Sequence, residues 1–132
     1  MKLNNLPVFL ALLLVSCAAM PVVVPGNLTA AELIQRAQEA SDKNRYSESL
    51  QYYAAVSERF PYDVDNTCAA EYGTAFVHYK QKKYDLAKEE FNNLLGRYNV
   101  SDEELLPPQF KILSNIVLAK IQEAEDKRNK GR

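Results

Sequence analysis

The chain matches itself at an offset of 38 residues, and this self-similarity restricts its fold more than any other feature. Arg45 to Tyr53 (RYSESLQYY) aligns with Lys83 to Phe91 (KYDLAKEEF). The same offset pairs Val56 with Leu94, Arg59 with Arg97, Phe60 with Tyr98 and, running backwards, Ala37 with Ala75. Ser47 and Asp85 also coincide, and both are good N-cap residues. Two helices that start at equivalent positions indicate a repeated structural unit rather than shared composition.

Each unit reads as a helical hairpin, which makes the chain all-α. In the first, Thr29-Ala30-Ala31-Glu32 has the pattern of a capping box, and Leu33, Ile34, Ala37 and Ala40 follow at helical spacing. Asp42 to Arg45 is a polar break. Ser47 is expected to cap a second helix with Leu50, Tyr53 and Val56 on one face, ended by Phe60-Pro61. In the second unit Asp65 or Thr67 opens a helix carrying Ala69, Tyr72, Phe76 and Tyr79. Gln81 to Lys83 forms the turn, and Asp85 caps a helix with Ala87, Phe91, Leu94 and Leu95 inward. Ser101 to Glu104 is a further capping box. Pro107-Pro108 then precedes a last helix over 109–127, with Phe110, Leu113, Val117 and Ile121 as its inward stripe. That helix is either a third first-helix or a solvating cap; its Glu/Lys-rich end favours the cap.

The segment before the repeats has a different character. Lys2 and the apolar run Leu6 to Val15 fit a signal peptide over residues 1–16, since a bilayer span needs about 20 apolar residues. The run ends in Leu14-Val15-Ser16-Cys17, which resembles the bacterial lipobox. The resemblance implies cleavage before Cys17, acylation of its thiol and anchoring to a membrane. The alternative is ordinary secretion after cleavage by a general signal peptidase. Ala18 after the cysteine implies, by the same resemblance, the outer membrane facing the periplasm. Residues 17–27 read as a lipidated tether and 28–132 as the repeat domain. Pro21, Pro25 and Gly26 oppose helix in the tether. Val22 to Val24 is apolar enough to lie on either the membrane or the domain.

Sixteen basic and seventeen acidic residues give a net charge of −1. That balance argues against nucleic acid as a partner, and equally against a strongly anionic membrane surface. Two cysteines and one histidine provide no metal-ligand cluster. No cofactor or small-molecule substrate is expected. A Cys17–Cys68 disulfide is conceivable, but acylation explains Cys17 better. His78 and Cys68 read as packed residues rather than catalytic ones, and the chain is not expected to be an enzyme.

The pattern resembles the tetratricopeptide repeat. Its small crossing residue is Ala37 in the first unit and Ala75 in the second. Its tyrosine before the second helix is Tyr46 or Tyr84, and its early small residue is Ser49 or Ala87. The following aromatic is Tyr53 or Phe91. Pro61 follows the first unit, whereas Asn99 stands where proline is usual in the second. Because the usual period is about 34 residues, four extra residues are expected in a loop over Tyr62–Asn66. The resemblance implies a protein-binding groove lined by Tyr72, Phe76, Tyr79 and Lys80, with Ile34, Gln38, Ser41 and Asp42 at the matching positions of the first unit. Alternatively, the aromatic stripe packs into the core.

Lipobox, tether and repeats, with Ala75 to Lys80 (AFVHYK) before the Tyr84-to-Phe91 helix, resemble the outer-membrane assembly lipoprotein BamD family in a short form of two repeats plus a capping helix. That resemblance implies a non-enzymatic, lipid-anchored scaffold binding protein partners of the outer-membrane assembly machinery. The alternative is a general adaptor for an envelope transporter or enzyme complex.

Overall fold

The computed structural model describes residues 21–100 and 105–131. The expected signal peptide, the lipobox with Cys17, and the capping box over 101–104 lie outside the described residues.

The fold is all-α: five helices in the order α1 (Ala30–Asp42), α2 (Tyr46–Arg59), α3 (Val64–Lys80), α4 (Tyr84–Arg97) and α5 (Pro108–Lys130), with no strand among the described residues. α1 with α2 and α3 with α4 form two successive hairpins, and α5 packs on both helices of the second. Thr29 starts α1 as expected. Its hydroxyl accepts from the Glu32 amide, and the Glu32 carboxylate accepts from the Thr29 amide at 2.8 Å.

Ser47 and Asp85 are not caps. α2 and α4 begin one residue earlier, after Arg45 and Lys83, and neither start has a side-chain cap. The preceding turns set these starts. Asn44 and Lys82, one repeat apart, both take left-handed backbone conformations with φ of 58° and 60°. The Arg45 amide reaches back to the Ala40 carbonyl at 2.8 Å, and the Lys83 amide reaches the His78 carbonyl at 2.9 Å. Both turns therefore close as Schellman motifs, and the residue that completes the motif is already the start of the next helix.

The four extra residues are not in a loop either. α3 has 17 residues where α1 has 13, so they form one additional helical turn at the start of α3, capped by Asp63 rather than by Asp65 or Thr67. Hence α1 and α3 start 34 residues apart, whereas the turns that follow them lie 38 apart. An extra turn satisfies its own backbone bonds, which an irregular loop of the same length would not.

The repeat equivalences hold in space. Ala37 and Ala75 are both fully buried where the paired helices cross, and Val56 and Leu94 are buried at matching depth. Ser49 donates to the Ala37 carbonyl at 2.7 Å; its counterpart Ala87 fills the same place with a methyl group. α5 takes Pro108 as its first residue, one position before the expected start, and runs to Lys130, three beyond the expected end. Its inward stripe differs in one member: Val117, Ile121 and Ser114 are buried and Phe110 is half-buried, but Leu113 is 38% exposed. Beside it Ile112 and Ile116 face outward. No helix among the described residues is long and apolar enough to cross a membrane.

The described part of the tether, residues 21–27, is held against the domain. The Val22 amide donates to Gln51 Oε1 at 2.8 Å, and Arg59 donates to the Pro25 carbonyl at 2.6 Å and the Val24 carbonyl at 3.1 Å. Val22 and Val24 pack on the first hairpin, while Val23 between them points outward. This is the alternation of an extended strand-like segment.

Candidate functional site

α3 is the central helix, packed on α1, α2, α4 and α5. From Asn66 to Lys80 every residue is buried or half-buried. Small residues allow this. Ala70 and Gly73 admit α2, and Ala75 meets Ala87 of α4.

One face of α3 opens into a cleft of about 270 Å³ between α1, α3 and α5. Gln38, Ser41 and Asp42 form one wall, Phe110 and Leu113 the other, and Ala69, Tyr72, Gly73 and Phe76 the floor. Tyr53 enters from beneath, its ring seated on Gly73. Burial, then the Asp42 carboxylate, pushes the Tyr53 phenol up to about 12. The side chain thus stays a neutral, mostly apolar part of the floor.

The aromatic stripe belongs to the cleft and to the core at once. Phe110, Tyr72, Phe76, Tyr79 and Tyr84 form an unbroken ladder with centroid spacings of 5.7, 5.9, 5.7 and 6.0 Å. Tyr72 also meets Phe91 at 5.7 Å. All three stripe residues are half-buried, Tyr79 no less than the others, so none stands free in solvent. Tyr72 and Phe76 reach the cleft; Tyr79 is occupied between Phe76 and Tyr84.

Of the other groove residues named from the sequence, Gln38, Ser41 and Asp42 reach the cleft, and Ile34 and Lys80 do not. Ile34 packs into the first hairpin's core. Lys80 straps the two repeats together: its ammonium donates to the Ser41 carbonyl at 2.6 Å and the Ser41 hydroxyl at 3.2 Å, and lies over the Tyr46 ring. Tyr53, Gly73, Phe110 and Leu113 were not read as groove residues. Gly73 carried the one usable signal, because a glycine inside a helix costs about 1 kcal/mol against alanine and so points to a packing reason.

Cys68 and His78 are both packed, as the sequence leads one to expect. Cys68 is a buried free thiol, its pKa raised by desolvation. His78 is nearly buried, with Nδ1 2.7 Å from Oε2 of Glu90. This pair borders a second cavity, of about 590 Å³, between α2 and α4 on the opposite side of α3. That cavity is mainly apolar, with Leu50, Ala54 and Leu94 inside and the Arg97–Glu71 ion pair, 2.7 Å long, at its edge.

The chain is 32% identical over 111 residues to an uncharacterized protein of Treponema pallidum (strain Nichols), a match covering 83% of this chain and 44% of the relative. It therefore spans less than half the length of the relative it matches. No known protein family matches the chain, and no solved structure does.

Proposed function

We propose that the protein is a non-enzymatic scaffold of the bacterial envelope, anchored by lipid on Cys17, whose α1–α3–α5 cleft grips a segment of a partner protein. The single observation behind this reading is the cleft itself: a floor of Tyr72 and Phe76 between the polar rim of Gln38, Ser41 and Asp42 and the apolar rim of Phe110 and Leu113. Aromatics ringed by polar groups are the make-up of an interface hot spot. At about 270 Å³ the cleft suits one or two side chains of a polypeptide. Drug-sized ligands usually take pockets of about 300–1,000 Å³. The bacterial relative is in keeping with a lipobox, which is a bacterial signal.

Within this reading the partner belongs to the outer-membrane assembly machinery, as for the BamD family. The test is a photo-crosslinking residue in place of Gln38, installed in cells, with and without Leu113→Asp at the apolar rim. A defined envelope protein should be captured through Gln38, captured far less with Leu113→Asp, and not captured from Tyr62 on the far loop. Equal capture from Tyr62 would sink the cleft as the binding site. An assembly component as the captured protein supports the specific role; a transporter or enzyme subunit supports a general adaptor. Mass spectrometry of the mature N-terminus tests the acyl anchor separately.

A further inference from the structure

The near-zero net charge conceals an end-to-end separation. At one end of the domain lie both hairpin turns and the last turns of α5, brought level by the Lys88–Glu125 contact of 2.8 Å between α4 and α5. Lys43, Lys82, Lys83, Lys127, Arg128 and Lys130 are exposed there, and none forms an ion pair among the described residues. Most of the acids near this end have partners among the described residues. Asp42 faces Lys80, Glu48 faces Arg45, and Lys88 holds both Asp85 and Glu125; Asp126 accepts from Gln122. At the other end lie Glu32, Glu58, Asp63 and Asp65, Glu32 and Asp63 accepting from amides at helix starts, while Arg59 binds the tether carbonyls and Arg97 pairs with Glu71. Lys111, at the start of α5, lies over the Tyr98 ring.

The tether adds an independent observation. It runs back along α2, from Pro25 at Arg59 to Val22 at Gln51, and Val22 borders a surface hollow with Asn44 to Glu48 and Gln81. Val22, next to the first described residue, therefore lies by the basic end. Cys17 stands five positions before Val22, a reach of at most about 18 Å. Cations at or just beyond the C-termini of α1, α3 and α5 also offset helix dipoles. That accounts for basic residues at helix ends but not for the tether lying beside them.

We propose that this turn-bearing basic end is a membrane-facing surface that lies on anionic phospholipid headgroups. Its placement beside the bilayer rests on the lipid-anchor reading; its headgroup affinity does not. Each cation near such a surface strengthens partitioning about fivefold, an effect confined to roughly a Debye length. The acyl chains hold the domain within that range, and the charge separation sets which end faces down.

The test uses the full chain with Cys17→Ser, so that no acyl chain contributes. It is co-sedimented with vesicles of phosphatidylcholine alone and of phosphatidylcholine with phosphatidylglycerol. Binding should require phosphatidylglycerol, weaken with added salt, and fall at least about tenfold in a Lys43→Glu, Lys83→Glu, Lys127→Glu variant whose helicity is unchanged. Absence of phosphatidylglycerol-dependent binding, or binding unchanged in that variant, overturns the proposal. If the triple variant loses helicity, Lys127→Glu with Lys130→Glu on the exposed end of α5 decides by the same criteria. An unacylated mature N-terminus with the vesicle result intact would refute the anchor and leave this surface standing.

Discussion

Gly73 lies directly against the ring of Tyr53: a Cβ built onto it would sit 2.6 Å from Cε1 and closer still to Cζ. This contact lets an aromatic from the first hairpin pass beneath the central helix and emerge in the cleft floor. Gly73→Ala should therefore destabilise the fold by about 1–2 kcal/mol, an overpacking cost partly offset by alanine's helix propensity. Denaturant unfolding would measure it. Combined with Tyr53→Leu, Gly73→Ala should cost far less than the two changes summed, because their shared contact is then gone. Strict additivity would show that the ring and glycine are not coupled.

The Tyr53 phenol is pushed up to about 12 chiefly by burial, and the Tyr98 phenol likewise, its hydroxyl donating to the Pro107 carbonyl at 2.6 Å. A group whose folded pKa exceeds its unfolded value stabilises fully below the unfolded value, near 10 for tyrosine, and loses that contribution as pH rises through the folded one. The urea midpoint should accordingly fall between about pH 10 and 12. Tyr53→Phe should flatten part of that fall. An unchanged slope would place the Tyr53 hydroxyl in water.

Arg59 holds the tether through two carbonyls, in partly solvated geometry. Arg59→Ala should leave global stability within about 1 kcal/mol while speeding amide exchange and proteolysis over residues 21–27. Equal protection in both proteins would mean that the packing of Val22 and Val24 and the bond from the Val22 amide to Gln51 retain the segment without Arg59.

Two buried serines should respond oppositely. Ser49 donates across the hairpin to Ala37, so Ser49→Ala should cost about 1 kcal/mol. The Ser114 hydroxyl is buried with no hydrogen-bond partner among the described residues, so Ser114→Ala should be neutral or stabilising. Thermal unfolding of both variants would check the pair, and a loss at Ser114 equal to that at Ser49 would contradict it.

What the amino-acid order determined by itself was local and periodic. The capping box at Thr29, the hairpin repeat, the small crossing residues Ala37 and Ala75, and the proline start of α5 depend on neighbours a few residues apart, and each stands as read. The helix starts after Arg45 and Lys83 did not, because a Schellman closure fixed by the left-handed Asn44 and Lys82 outweighed the caps available at Ser47 and Asp85. Which residues meet in the cleft was decided only in three dimensions. α3 is enclosed by four helices, so burial along it loses the one-sided period that a sequence can display, and an aromatic there is lining and core together. The charge separation was hidden for a related reason: a net charge sums over the chain, whereas a surface field depends on which ends the fold brings together.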